Sequence, residues 1–304
     1  MSDLQARLAA ASEGAAVGPA LSRGFLRVAG KDRHDLLHRI STQSVKGLAP
    51  GETVHLAFLD VKGRVVADAL LFARADDLLL QVEPEVAEPL RAHLTRFVLR
   101  DQVQLEDVSA ALRVVPALGR SGVERARIIA PAGTLFPNPR RGAPALDAVL
   151  APSEAAAFRD ALLSGGAVAL AEGDLEVLRV VAGVPRQGVD IDAARLPMEA
   201  ALVQTAVSFD KGCYIGQEVV LRGTFRGQIQ KGLVQLALPE GAGPGTPLER
   251  EGREVGVVTS AVEAPEGRIG LAYLRRAHWK EGERIATPAG EAVVRRVLVT
   301  EKDR

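Results

Sequence analysis

From Lys231 onward the chain is written in short β-rich runs separated by glycine and proline turns. The runs are 232–238, 241–247, 253–259, 269–273, 284–286 and 292–299. Short strands at this even spacing predict a small β-barrel or sandwich. The change of texture places a domain boundary near Gly227, so that residues 1–227 form one region and 228–304 a second.

Upstream of that boundary the pattern is mixed. Residues 54–59, 65–72 and 78–82 read as strands, the first two joined by the turn Asp60-Val61-Lys62-Gly63-Arg64. A helix is expected within 29–44, with Asp32 as N-cap and Leu36, Leu37 and Ile40 on one apolar face. Another is expected over 85–97, where Val86, Leu90, Leu94 and Phe97 share a side and Pro89 sits in the first turn. Residues 103–105 suggest a further strand. Residues 113–151 hold strand-like pieces and a Pro/Arg/Gly loop at 136–142. Helices follow at 153–163, with Ser153 as N-cap, and at 175–182; residues 183–200 read as irregular. Hairpin, strand, helix and strand in this order predict an α+β fold with antiparallel sheets, arranged as two intertwined α+β domains, one of them around residues 50–110.

Composition removes several function classes. Lys plus Arg and Asp plus Glu number 38 each, so there is no bulk positive charge to draw a nucleic acid. A single cysteine, Cys213, excludes an internal disulfide and a four-cysteine cluster site, and fits a reducing cytoplasm. Residues 1–16 are alanine-rich but carry Asp3, Arg7 and Glu13, unlike a signal peptide. No apolar run reaches the length of a membrane span. A cytoplasmic monomer is the expectation.

The chemistry concentrates in Lys211-Gly212-Cys213-Tyr214-Ile215-Gly216-Gln217-Glu218. Glycines beside a thiol let backbone approach a ligand or another segment. Lys211 and Arg222 are cations near Cys213 in sequence, and positive charge favours the thiolate. The plain alternative is a small buried cysteine. This segment resembles the signature of the YgfZ proteins, whose mitochondrial relatives act late in iron–sulfur cluster assembly. That family is related to the aminomethyltransferase, or T-protein, of the glycine cleavage system. Leu196-Pro197-Met198-Glu199 resembles the Pro-x-Glu element of the same families, and 256–260 with 269–273 their C-terminal barrel. Thr42 and Lys62-Gly63-Arg64 resemble their N-terminal block.

The resemblance implies a folate-binding, aminomethyltransferase-like scaffold and tetrahydrofolate as cofactor. It implies Cys213 as a functional thiol, with Glu199, Lys211, Gly212, Tyr214, Gly216, Gln217, Glu218 and Arg222 around the ligand. Iron–sulfur apoproteins or assembly factors are the implied partners. Glu199 suits the pterin because a carboxylate accepts two parallel N–H bonds from an aminopyrimidine edge; read alone, it is a helix-start acid after Pro197. Departures separate this chain from the transferases. Where they carry an Asp-Asp pair after a Gly-Gly turn, this chain has Ala67-Asp68, and Asp68 reads as a strand aspartate facing solvent. Two other readings stand beside the leading one: a tetrahydrofolate-dependent aminomethyl- or methyltransferase, and a non-catalytic interaction module. The pair His34 and His38 reads as a polar helix face.

Overall fold

In the computed structural model, which describes residues 3–227 and 229–299, the chain begins α1 (Asp3–Ser12), β1 (Ala16–Val17), β2 (Gly24–Ala29), α2 (Arg33–Ile40), β3 (Thr53–Leu59), β4 (Val65–Ala73), β5 (Asp77–Val82), α3 (Ala87–Thr95) and β6 (Gln104–Asp107). It continues β7 (Arg113–Leu118), α4 (Arg120–Ile129), β8 (Leu135–Pro137), β9 (Ala145–Leu150), α5 (Pro152–Ser164), β10 (Val168–Ala169), α6 (Glu172–Ala182), α7 (Val203–Ala206) and α8 (Gln217–Phe225). The remainder is β11 (Lys231–Ala237), β12 (Pro247–Arg250), β13 (Arg253–Ala264), β14 (Gly267–Arg275), β15 (Arg284–Thr287) and β16 (Gly290–Val297). Met1 and Ser2 of the alanine-rich start, Gln228 at the expected boundary, and residues 300–304 lie outside the described residues. Among the described residues, no helix is long and apolar enough to cross a membrane.

The strands form three sheets. The first has the order β3-β4-β5-β2-β6 and the second β10-β1-β7-β9-β8; the third, β11-β14-β13-β12-β15-β16, closes into a barrel. Pairing is antiparallel except between β1 and β10. The fold is therefore α+β with antiparallel sheets and a C-terminal barrel, as the strand spacing predicts.

Alternation along β4 explains how the first two sheets meet. Ala67, Ala69, Leu71 and Ala73 point to one face, where Leu36, Leu37, Leu90 and Leu94 of α2 and α3 cover them. Leu70 and Phe72 point to the other face and pack with Val114, Phe136 and Val149 of the second sheet. Phe72 and Phe136 stack at 4.6 Å between ring centroids. Helices α4 and α5 cover the far side of the second sheet, where Ala126, Phe158 and Leu162 meet Val115 and Leu150. Sheet therefore lies on sheet, with helices outside both. That arrangement overturns the expectation that Asp68 faces solvent: it shares the inner face with Leu70 and Phe72 and is buried.

Several local expectations shift for identifiable reasons. The helix expected at 153–163 starts at Pro152, with Ala151 and not Ser153 at the N-cap position. Proline presets the first turn, and the Glu154 carboxylate accepts from the Ala151 N–H at 3.1 Å. Residues 241–247 form turns in which Gly241 and Gly245 take positive φ, and the strand begins only at Pro247. The helix expected from Leu175 opens at Glu172, where Asp174 accepts from the Ala171 N–H at 2.9 Å. Asp32 occupies the N-cap position of α2 but spends its carboxylate on the Gln102 N–H at 2.7 Å.

The barrel is tied to the rest through α6. Val177 and Val180 pack on Leu233, Ile269 and Leu271. Beneath them Arg179 donates to Asp190 at 2.7 Å, to Glu176 at 2.6 Å and to Ser260 of β13 at 2.8 Å, while Ser260 donates to Asp190 at 2.8 Å. The Asp190 side chain is fully buried. Replacing Asp190 with Ala leaves the Arg179 cation short of its buried partner, and removing one member of such a pair costs about 3–5 kcal/mol. A loss of that order is expected in urea unfolding of Asp190→Ala.

Candidate functional site

Two cavities open where the first two sheets and the 183–205 segment converge. The first, about 360 Å³, is lined by Asp68 and Gln81 of the first sheet, Arg140 and Arg141 of the 136–142 loop, and Arg179 and Arg186, among others. The second, about 450 Å³, is lined by His55, Arg140, Thr205 and an apolar wall that includes Leu202, Val297 and Leu298. Arg140, Val184 and Pro185 border both. Volumes of this size are those of small-ligand pockets, about 300–1,000 Å³.

A charged cluster joins the two cavities. His55 on β3 and Asp68 on β4 are diagonal neighbours in the ladder, since Ala57 is the residue opposite Asp68. His55 Nε2 lies 2.6 Å from Asp68 Oδ1, and Arg140 Nη2 lies 2.7 Å from Asp68 Oδ2. Arg140 Nη1 also contacts His55 Nε2, and Nη2 donates to the Pro185 carbonyl at 2.6 Å. Gln187 accepts from the Asp68 N–H at 2.7 Å and donates to the Val66 carbonyl at 2.9 Å. The 136–142 loop that presents Arg140 is itself anchored. Arg141 grips the buried Asp147 at 3.0 and 2.8 Å, and Asn138 donates to Asp147 at 2.7 Å.

The electrostatics follow from this packing. Burial, reinforced by Arg140, lowers the His55 pKa and keeps the imidazole neutral, with Asp68 pulling the other way. Burial opposes the charge on Asp68, but Arg140 and His55 more than offset it, so its carboxyl titrates below the usual range. Two polar atoms bordering the first cavity, Gln81 Oε1 and Arg186 Nε, are buried without a hydrogen-bond partner among the described residues.

The signature lies elsewhere. Cys213 is exposed, and neither Glu199 nor any residue of 211–222 lines either cavity. Lys211 Nζ donates to the carbonyls of His38, Ser41 (2.6 Å) and Gln43 (3.1 Å), and burial lowers its pKa to about 8. Its ammonium stands 5.2 Å from the Tyr214 ring. Tyr214 is buried with an unpartnered hydroxyl, and burial raises its pKa to about 12. Arg222 is exposed and pairs with exposed Glu218 one turn away on α8, which Gln217 opens. Both cations expected beside the thiol thus have partners of their own.

The glycines divide. Gly216 takes φ 79°, and an added Cβ would meet Asp60 O at 2.9 Å and Gly63 Cα at 3.0 Å, so close backbone approach requires it. Gly212 stands in open space, where a Cβ would meet nothing. Glu199 is half-buried; its carboxylate accepts from the Leu196 N–H at 3.4 Å, and its carbonyl accepts from the Leu233 N–H at 2.9 Å. Nearby, the Arg195 guanidinium lies 3.8 Å from the centre of the buried Tyr273 ring. The two histidines read as a polar face grip one loop residue: His34 Nδ1 meets the Val45 carbonyl at 2.9 Å and His38 Nδ1 accepts from the Val45 N–H at 3.4 Å.

Residues 230–299 match the family model for the CAF17 C-terminal beta-barrel domain. The human mitochondrial iron–sulfur cluster assembly factor IBA57 is 31% identical over 287 residues, covering 85% of this chain and 76% of the human one. The chain belongs to the IBA57 family. An IBA57 homologue of Mycosarcoma maydis, also mitochondrial, is 29% identical over 232 residues, covering 71% of this chain and 55% of its own. This chain therefore spans little more than half the length of that relative. In three dimensions the chain matches the glycine cleavage system aminomethyltransferase T from Bartonella henselae, with a TM-score of 0.84, 19% identity, and 98% of this chain and 90% of that one covered. At that identity the likeness is one of fold: the chain has the aminomethyltransferase architecture. The relatives correct the expected location. Curated IBA57 proteins are mitochondrial, which overturns the cytoplasmic expectation drawn from a lone cysteine.

His55 generates a pH signature. Its folded pKa lies below its unfolded value of about 6.5. As pH falls, the unfolded chain binds the proton first, so stability is full above about 6.5 and declines below it. His38 and His93 are shifted the same way and remain in a His55→Gln variant. Chemical denaturation between about pH 7 and 5 should therefore show wild type losing more stability than His55→Gln.

Proposed function

We propose that this chain binds tetrahydrofolate or a one-carbon derivative in the first cavity and supports the assembly or repair of iron–sulfur proteins. The observation that carries the folate reading is the lining of that cavity. Asp68 offers carboxylate acceptors for an aminopyrimidine edge. Gln81 Oε1 and Arg186 Nε are a buried acceptor and donor left without partners, a state that a polar ligand relieves. Arg186, whose Nε is without a partner among the described residues, supplies a cation suited to a glutamate carboxylate, whereas Arg140 and Arg141 are held by Asp68 and Asp147. These residues fit the group. Bound folate would supply one-carbon transfer chemistry; the chain's part is to orient the ring and neutralise the tail. Family membership and the aminomethyltransferase fold support the same reading.

Cys213, exposed on the signature loop, is suited to meet a partner protein, an iron–sulfur apoprotein or assembly factor. In this reading residues 1–227 hold the folate, 228–304 form the second unit, the chain works as a monomer, and the signature marks the YgfZ branch. Lys211, Gly212, Tyr214, Gly216, Gln217, Glu218 and Arg222 then shape and hold the thiol-bearing surface, while Glu199 fastens its own segment to the barrel through the Leu233 N–H. A second reading, aminomethyl transfer, draws on Asp68, a buried acid that lines the first cavity. Production of 5,10-methylenetetrahydrofolate from an aminomethyl-lipoyl carrier would favour it.

Calorimetry with tetrahydrofolate should give saturable binding that Arg186→Met weakens about tenfold or more, the value of a charged hydrogen bond. Absence of binding by the folded wild type sinks the folate reading. Separately, Cys213→Ala in a deletion strain should fail to restore iron–sulfur enzyme activity; full restoration removes the thiol from the mechanism.

A further inference from the structure

His55 is held on both ring nitrogens. Nε2 lies 2.6 Å from Asp68 Oδ1, and Nδ1 lies 2.9 Å from Thr205 Oγ1 on α7. Asp68 Oδ1 and Arg140 Nη1 both contact Nε2, the first favouring a proton there and the second a lone pair. In the tautomer that carries its proton on Nε2, toward Asp68, Nδ1 is free to accept from the Thr205 hydroxyl. His55 and Asp68 are 6% and 9% exposed, whereas Thr205 is exposed and lines the second cavity. Hydroxyl, imidazole and carboxylate thus follow one another from the cavity into the core. That is the order of a hydroxyl nucleophile, its general base and the group that orients the base. Thr205 Oγ1 has no second hydrogen bond among the described residues.

We propose that the second cavity is a reaction site in which Thr205 attacks a small apolar acyl group delivered as an ester or thioester. Leu202, Val297, Leu298 and Val299 give that cavity an apolar wall for the acyl chain, and Arg140, which borders it, offers a cation to the developing oxyanion. In the step, a bond forms between Thr205 Oγ and the acyl carbon as the bond from that carbon to the leaving oxygen or sulfur breaks. The hydroxyl proton passes to His55 Nδ1 and then to the leaving group. Water repeats the sequence, with His55 taking its proton, and frees Thr205 and a carboxylic acid. No electrons are gained or lost. The transient imidazolium rests against Asp68, which offsets the neighbouring guanidinium; Asp68 is a positioning residue. This activity goes beyond the folate reading, because the first cavity does not use Thr205.

The test uses p-nitrophenyl acetate on the whole protein, with nitrophenolate release followed and acetylated peptides mapped by mass spectrometry. The expected result is an acetyl group on Thr205 and a matching burst of nitrophenolate. Thr205→Val should remove both, and Thr205→Ser should keep both. His55→Gln should lower the acetylation rate about 100-fold, the usual share of a general base. Asp68→Asn should move the pH profile of acetylation as well as its rate, which loss of packing alone would not do. A folded wild type with no acetyl on Thr205 overturns the proposal, as does His55→Gln acetylating at the wild-type rate. Should His55→Gln fail to fold, the Thr205→Val and Thr205→Ser pair decides by itself, since residue 205 is exposed. Tetrahydrofolate binding by Thr205→Val should match wild type, so the two readings fail separately.

Discussion

A buried carboxylate organises the centre of this molecule. Asp68 sits on the inner face of the first sheet, largely shielded from water, so most of its charge is met by protein. Arg140 reaches it from the second sheet, Gln187 holds its backbone from the 183–205 segment, and His55 comes from the neighbouring strand. Each partner belongs to a different part of the chain. The requirement to satisfy one anion therefore fixes how those parts are juxtaposed, and both cavities are what remains open around it.

The signature works at a different place. Lys211 spends its ammonium on three carbonyls at the end of α2, and the Ser208 N–H donates to the Thr42 carbonyl. Thr42 is fully buried and donates to the Ala206 carbonyl. Gly216 lies against the Asp60–Gly63 turn, and Gly63 in turn leaves room for Val219 of α8. Lysine, threonine and two glycines thus clasp the thiol-bearing loop to the first sheet. The segments that resemble the family's N-terminal block and its signature are the two halves of that clasp.

The sequence was legible where pattern and geometry coincide. The strand spacing after Lys231 marked the barrel, and Leu36, Leu37, Leu90 and Leu94 marked the helix faces on the first sheet. Asp68 was misread because alternation cannot say what covers the second face of a sheet. The signal was present in 65–73, which is apolar throughout except at 68 and so describes a strand buried on both sides. His55 and Thr205 are 150 residues apart and carried no local signal; only the fold brings them together. Arg140 sat in plain view within a proline-rich loop, but its partners come from 72 and 85 positions away. The signature is contiguous and plain in the sequence, but a local motif carries no information on the long-range packing that leaves its loop outside both cavities.

The barrel closes completely, with β11 paired to both β14 and β16. Among the described residues each strand of it has a neighbour on both sides, most thinly at the single β12–β15 pair of Glu249 and Ala286, so little free ladder is left for another chain's sheet. A protein that meets this unit must do so through its turns and outward side chains. Recognition there is by surface shape and charge, and it can be altered residue by residue without disturbing the backbone ladder beneath.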